Sequence, residues 1–306
     1  VPISCETNSD CVGDTSCDTF DKICLPNDIQ GCKADSDCEA GQVCDVDAAS
    51  GADIFVVSYD TLGNQLWAKN WGGPYNDSPR ALSVNSAGDI FITGAFSGKI
   101  EADSLSKTTA YEYSGGLNEI FVLAIDGMNQ EALWLKTFEG SGYDEGTNLV
   151  ANKIRNVVVA VSYQQNLDVA EGVTFQSGGD NFNAGIIRLN GDGEYMWSQE
   201  FGGPGGEKFE GMDMDETGNI YAAGVFSDTV AFGGSELVGV DGHDVVVAAY
   251  SADGAHLWSV AYTGMGFDQA LDMEVSGNGI YLTGRFWDDL TFGETALNAP
   301  GNYDVM

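Results

Sequence analysis

Residues Asp53 to Gly73 form the sequence DIFVVSYDTLGNQLWAKNWGG, which predicts a short apolar strand, a glycine-containing turn and a second strand carrying a tryptophan. The same pattern returns at 119–140, 183–203 and 244–264. The anchors of the four copies stand 61 to 67 residues apart, at Trp67, Trp134, Trp197 and Trp258. Self-similarity at a nearly fixed period is typical of repeat architectures, so the repeat is the first guide to the fold.

Each unit carries a second pair of apolar segments, at 81–97, 148–164, 211–227 and 270–287. Short Val-, Ile- and Phe-rich runs interrupted by Gly and Asn predict β-hairpins. Several strands are apolar on both faces, which favours sheets packed against other sheets over one solvated sheet. Two hairpins per unit predict an all-β propeller of four-stranded antiparallel blades, with a plain β-sandwich as the alternative. The predicted blades are 53–117, 118–181, 182–242 and 243–303.

The motifs of these units resemble the bacterial β-propeller repeat family often labelled SBBP. D-x-F-V-x-x-Y-D-x-x-G-x-x-L-W covers 53–67, a Gly-Gly turn follows at 72–73, and G-N-I-Y-x-x-G-x-F and V-x-F-G-G occupy 218–226 and 230–234. The blade at 118–181 departs most, because Val161 replaces the strand glycine and its first turn is one residue longer. The resemblance covers residues 52–306 and implies a secreted or surface-exposed propeller, usually without a known catalytic role.

All seven cysteines lie between residues 5 and 44, in a C-x5-C-x5-C-x6-C pattern that restarts 27 residues later. Two modules of about 25 residues are too small to bury a core, so crosslinks are expected to stabilise them. The spacing does not match zinc ligands, and no histidine is nearby. The sequence therefore predicts a disulfide-rich domain at 1–47 in an oxidising compartment, a small polar linker at 48–52 and the repeat domain at 53–306.

The cysteine block resembles the short Dickkopf-like modules found near the N-termini of bacterial secreted and surface proteins, and implies an extracellular spacer or interaction module. Gly51 stands where an eighth cysteine would fall. Four cysteines allow three pairings. We predict first-to-third and second-to-fourth pairing, with Cys38 left unpaired: Cys5–Cys17, Cys11–Cys24 and Cys32–Cys44.

The chain is strongly acidic, with 47 acidic and 12 basic residues and a formal net charge of −35. Such a field repels phosphate backbones and argues against a nucleic-acid partner. No apolar run is long enough for a transmembrane helix. The chain begins at Val1 without a charged and apolar leader, so we expect any signal peptide to lie upstream. The excess of acids favours solubility in a salty medium and leaves Ca²⁺ as a candidate ligand, with no other cofactor indicated.

The loop that follows each Trp strand repeats three columns: an aromatic, a glycine two residues later and an acid four residues after that. In a radially repeated fold the acids lie at one height. They either accept main-chain N–H groups in their own turns or line a channel mouth, where their closeness would favour a cation or raise their pKa values. The glycines are expected to allow a positive φ. The candidate metal ligands are Asp77, Asp144, Glu207 and Asp268.

Each of these loops also holds an aromatic residue near the acid: Tyr75, Tyr143, Phe209 and Phe267. Aromatic faces beside carboxylates suit sugar stacking and hydroxyl recognition, and packing between blades is the alternative. The segment from Ser251 to Trp258 matches a glycosidase Asp box at its Ser, Asp and Trp positions only. No nucleophile elbow, phosphate loop or metalloprotease motif is present.

The sequence thus favours a secreted or cell-surface binding scaffold without catalytic residues, which presents propeller loops to a protein or glycan partner. A carbohydrate-active enzyme on the same fold is the alternative. Asp304 matches the opening residue of the earlier units, so we expect a fifth unit to start there. If so, the chain is part of a larger propeller, and its first and last blades are not expected to meet in a closed ring.

Overall fold

The computed structural model describes residues 15–18, 23–26, 51–109 and 118–305, and every regular element within them is a β-strand. This confirms the all-β prediction. The predicted disulfides lie outside the described residues. Strands β1 (Thr15–Asp18) and β2 (Ile23–Pro26) form a short antiparallel backbone pair in which Cys17 lies opposite Cys24. Within the described part of the chain, no helix is long and apolar enough to cross a membrane.

Four hairpins carry the repeated tryptophans and are called the Trp hairpins. They are β3–β4 (Ile54–Tyr59, Gln65–Trp71), β9–β10 (Glu119–Ile125, Ala132–Gly140), β15–β16 (Asn183–Leu189, Tyr195–Phe201) and β21–β22 (Asp244–Tyr250, His256–Tyr262). Four further hairpins follow them and are called the second hairpins. They are β5–β6 (Asp77–Val84, Ile90–Phe96), β11–β12 (Glu145–Ala151, Val157–Tyr163), β17–β18 (Glu207–Met214, Ile220–Phe226) and β23–β24 (Gln269–Ser276, Gly279–Phe292).

Each unit also has a small side hairpin that the sequence did not predict. Two are separate pairs, a third is joined to β10 of a larger sheet, and the fourth joins the end of β24 to β25 (Thr295–Val305). The separate pairs are β7–β8 (Lys99–Ala102, Leu105–Thr108) and β19–β20 (Thr229–Ala231, Glu236–Val238), and the pair joined to β10 is β13–β14 (Asn166–Ala170, Val173–Gln176). Side hairpins pair with the glycine ends of Trp hairpins, as Gly72 with Glu101, Gly140 with Leu167 and Gly264 with Leu290 show.

The large sheets are offset by one hairpin from the units seen in the sequence. Two have four strands, in the orders β11-β12-β15-β16 and β17-β18-β21-β22, and one has six, in the order β5-β6-β9-β10-β13-β14. Each joins a second hairpin to the Trp hairpin of the following unit. The sheets therefore straddle the predicted boundaries at 117, 181 and 242. The last sheet is β23-β24-β25, and β3–β4 forms a sheet of only two strands.

The central strands of the inner sheets are buried along their whole length, which explains why they are apolar on both faces. Strands β6, β9, β12, β15 and β21 are buried at every residue. At the two ends of the chain, β3 and β24 expose about every second side chain. The inner sheets are thus covered on both faces by neighbouring sheets, whereas the end sheets are covered on one.

The first strand of each sheet packs against the first strand of the next, in the order β5, β11, β17 and β23. Within the described residues, the first and last sheets share no packed interface, so the row of sheets is open. At the C-terminal end Phe286 pairs with Asp304 in the register that joins Phe226 to Asp244. Asp304 therefore lies in the same register as the opening residue of the preceding Trp hairpin.

Candidate functional site

The repeated acid of each loop stands at the first strand of a sheet, where it begins β5 or β17 or directly precedes β11 or β23. All four are almost completely buried: Asp77, Asp144, Glu207 and Asp268. The main-chain N–H of each donates to a carbonyl one or two residues before the Trp hairpin, over 2.7 to 3.0 Å. This hydrogen bond joins the loop to the start of its own unit, and the acid side chain is buried beneath the loop.

Three of the four side chains accept a main-chain N–H. Asp144 Oδ1 accepts from Gln164 at 3.1 Å, and Glu207 Oε2 accepts from Gly203 at 3.2 Å. Asp268 Oδ1 accepts from Trp287 at 3.0 Å. In each case the second carboxylate oxygen is buried without a hydrogen-bond partner among the described residues. These three acids therefore connect main-chain segments, and each leaves one buried oxygen unpaired, whereas both oxygens of Asp77 are buried without a hydrogen-bond partner among the described residues.

Burial raises the pKa of these carboxyls, to about 7 for Asp77, Asp144 and Glu207 and to about 6 for Asp268. Main-chain N–H groups lower each pKa, but they offset only part of the rise that burial causes. A second acid at the start of the Trp hairpin adds like-charge repulsion in three units; these pairs are Asp53 with Asp77, Glu119 with Asp144, and Asp244 with Asp268.

The four acids act separately, one in each sheet. None of them contributes to the pKa shift of another. Within the described residues, no group of three or more His, Cys, Asp or Glu side chains could hold a metal ion. The acids are thus bound into separate turns, and a Ca²⁺ site stays a prediction.

The repeated glycines of these loops do not have the positive φ that we expected. They are needed because a main-chain carbonyl of the side hairpin lies against them. A Cβ on Gly73 would stand 1.8 Å from the Lys99 oxygen, and one on Gly140 would stand 2.3 Å from the Asn166 oxygen. Any larger residue would push the side hairpin away from the loop.

The four candidate aromatics lie in different surroundings. Phe209 is fully buried and packs 5.7 Å from Phe201, measured between ring centroids, which leaves it no surface for a ligand. Tyr75 covers Gly98 at the start of the first side hairpin. Tyr143 makes an edge-to-face contact with Phe182, and Phe267 makes one with His243. Phe267 is 46% exposed.

A cavity of about 930 Å³ opens beside the starts of β11, β17 and β23. Of the eight candidate residues, it brings together only Glu207 and Phe267; its other lining residues include Glu145, Phe182, Lys208, Glu210, His243, Gln269 and Arg285. The cavity thus combines two aromatic rings with charged groups of both signs.

A continuous polar network crosses the first strands of all four sheets, and we call it the polar ladder. Arg80 and Lys208 both pair with Glu145, at 2.8 and 2.7 Å, and Lys208 also lies 3.3 Å from Glu210. Gln269 then donates to Glu210 over 3.3 Å and accepts from Arg285 over 3.0 Å. Burial lowers the pKa of Lys208, but the two carboxylates outweigh it and raise the pKa overall.

A β-bulge recurs at the same place in every first strand and helps to direct the polar ladder. The register shifts between Pro79 and Ala81 in β5 and between Phe209 and Gly211 in β17, so Arg80 and Glu210 are the extra residues. Bulges re-aim side chains out of the regular alternation. The ladder is hard to recognise in the sequence because its positions vary between copies; their alternating charge is the signal that could reveal it.

No protein-family model matches the chain. The regulatory protein FlaEY of Caulobacter vibrioides is 24% identical to it; the match covers 83% of this chain and 28% of that protein. This chain thus spans less than a third of that relative. A solved structure of a protein of unknown function from Bacteroides caccae matches 78% of this chain and 66% of its own, with 14% identity and a TM-score of 0.38.

Proposed function

We propose that the chain is part of a secreted or surface-exposed β-propeller that binds a partner at the cavity beside its first strands. The four-stranded order, the packing of successive first strands and the repeat of 61 to 67 residues all favour propeller blades. The seven cysteines within the first 44 residues favour an oxidising, extracellular location.

The observation that carries a binding role is the cavity itself. Four of its charged residues, Glu145, Lys208, Glu210 and Arg285, are already paired in the polar ladder, so a charged ligand would have to break these contacts to reach them. Phe267 instead offers an exposed apolar edge in the same cavity as Glu210 and Gln269, side chains that can accept from and donate to hydroxyl groups. Apolar rings beside hydrogen-bonding groups suit a neutral glycan.

A glycan array probed with the purified chain tests this proposal. We expect binding to neutral oligosaccharides that Phe267→Ala or Glu210→Gln weakens on the order of tenfold. Phe55→Ala is the matched control, because Phe55 is exposed but does not line the cavity. Binding that survives both cavity variants, or no binding to any neutral glycan, would overturn the assignment.

A glycoside hydrolase is the second candidate, and Glu207 is the observation that favours it. Glu207 is among the residues that line the cavity, and burial raises the pKa of its carboxyl to about 7, as a general acid requires. A hydrolysis assay on each bound glycan decides between the two functions. Turnover that Glu207→Gln abolishes while binding persists would support the enzyme; bound but intact glycans would support the scaffold.

A further inference from the structure

Two buried acids of the second unit meet beside one glycine. Glu119, the first residue of β9, is 1% exposed, and Asp144, directly before β11, is completely buried. The main-chain N–H of Gly140 donates to Glu119 Oε2 over 2.8 Å. Asp144 Oδ2 lies 2.2 Å from the position that a Cβ on Gly140 would take. Both carboxyl groups are therefore directed at the space that the glycine leaves open.

Three oxygens that cannot donate a hydrogen bond share this space. Glu119 Oε1 and Asp144 Oδ2 are buried without a hydrogen-bond partner among the described residues. The carbonyl oxygen of Asn166, at the start of the side hairpin β13–β14, lies 2.3 Å from the same Cβ position of Gly140. It accepts from the main-chain N–H of Ser141 over 3.0 Å, which leaves it a second lone pair. A proton could join two of these oxygens, whereas a metal ion could contact all three.

The pair is electrostatically costly without a counter-ion. Burial raises the pKa of Glu119 to about 8, and the nearby charges of Asp144 and Glu139 raise it further. Among the described residues, no cationic side chain contributes to the pKa shift of either member of the pair. Buried charges without a partner are strongly destabilising. A divalent cation would neutralise both carboxylates at once.

The corresponding pairs in the other units do not offer the same arrangement. Asn183 takes the place of Glu119 in the third unit, and the corresponding acid of the first unit is exposed. In the fourth unit both oxygens of Asp244 accept main-chain N–H groups, from Val240 over 2.8 Å and from Gly264 over 3.1 Å. Of the four described units, the second alone leaves an unpaired oxygen on each of two buried acids. It belongs to the interior of the row, since β9 is buried at every residue.

We propose that Glu119, Asp144 and the Asn166 carbonyl bind one Ca²⁺, which joins the β9–β10 hairpin to the side hairpin β13–β14. All the ligands are oxygens, which suits Ca²⁺ better than zinc or copper. Mg²⁺ fits less well, because it usually keeps several waters and this space is buried. Carbonyl ligands replace the third acid that a larger carboxylate cluster would provide. This inference does not depend on the ligand of the cavity.

Hydrogen–deuterium exchange of the whole chain, followed by mass spectrometry over a Ca²⁺ titration, tests the site. The titration is run at constant ionic strength and about pH 8, with peptides that cover 164–176 as the readout. We expect Ca²⁺ to slow exchange there with a midpoint on the order of 10⁻⁴–10⁻³ M, the range of extracellular modules. The side hairpin β19–β20 is the internal control, because its unit carries Asn183 and its exchange should not change. Mg²⁺ at the same concentrations should have little effect.

Two isosteric variants identify the ligands. Glu119→Gln and Asp144→Asn each remove one charged ligand at nearly constant volume, so each should raise the Ca²⁺ midpoint on the order of tenfold or more. Glu171→Gln is the matched control, since Glu171 is exposed at the tip of the same side hairpin, and it should respond as the wild type does. Exchange at 164–176 that Ca²⁺ leaves unchanged, or that Mg²⁺ slows equally, would overturn the proposal. Protection that both ligand variants retain in full would also overturn it.

Discussion

Replacing Asp144 with asparagine should remove a pH-dependent loss of stability. The carboxyl is completely buried, and its one hydrogen bond comes from the Gln164 N–H at 3.1 Å. Burial raises its pKa from 3.8 to about 7. The native protein therefore keeps a proton on Asp144 at pH values where the unfolded chain has released it.

The size and sign of the effect follow from this difference. Between about pH 4 and about pH 7 the native state binds more protons than the unfolded state, so the free energy of unfolding falls as pH rises. The stabilisation is fully present below about pH 4 and is lost by about pH 7. At about 1.4 kcal/mol per pH unit the ceiling is about 4 kcal/mol, and relaxation around the charge leads us to expect about 2–4 kcal/mol.

Urea unfolding at constant ionic strength, followed by tryptophan fluorescence from about pH 5 to about pH 8 with a chelator present, measures this difference. The Asp144→Asn variant should lose less stability over this range and exceed the wild type at the upper end, because its amide does not titrate. Asp192→Asn removes the same formal charge from an exposed turn and should follow the wild type. Parallel pH curves for Asp144→Asn and the wild type would refute the reasoning.

Four further outcomes are expected. Gly140→Ala should cost about 1–3 kcal/mol in thermal melts, because its Cβ would stand 2.3 Å from a side-hairpin carbonyl, whereas Gly178→Ala, with nothing nearby, should be neutral. Lys208→Met should cost about 1–3 kcal/mol by leaving Glu145 short of a partner, and adding Glu145→Gln should recover part of this loss. If Ca²⁺ does bind the buried acids, it should raise the melting temperature at about pH 8; no shift would argue against a cation. Mass mapping of non-reduced peptides should find three disulfides and one free thiol, and seven free thiols would contradict the extracellular assignment.

The hairpins were predictable from the sequence because each has its own signal: alternating or apolar strands, Gly and Asn turns, and an aromatic at the strand end. The grouping of hairpins into sheets was not. A periodic sequence does not show which hairpin begins the structural unit. The sequence therefore could not predict whether β9 pairs with β6 or with a strand of its own unit. In the structure β9 pairs with β6 through seven residue pairs, from Phe96–Glu119 to Ile90–Ile125.

The repeated acid of each loop was predictable from the sequence, but its nearly complete burial was not. A repeated carboxylate in a glycine-rich loop predicts either a turn or a ligand, and only packing decides which. A glycine in such a loop predicts a positive φ, because turns commonly require one; the structure instead uses the missing side chain as space for a carbonyl. The polar ladder was missed because Arg80, Glu145 and Lys208 are far apart in sequence and differ between copies.

The one-hairpin offset between sequence unit and sheet has a consequence for how the gene can change. A cut at 181 separates the two halves of a sheet, whereas a cut just before β17 leaves whole sheets on both sides. An in-frame deletion of one period, wherever it starts, still joins a second hairpin to a Trp hairpin of matching register. Recombination between copies can therefore lengthen or shorten the array without any misaligned junction, so array length is free to drift while each sheet is preserved.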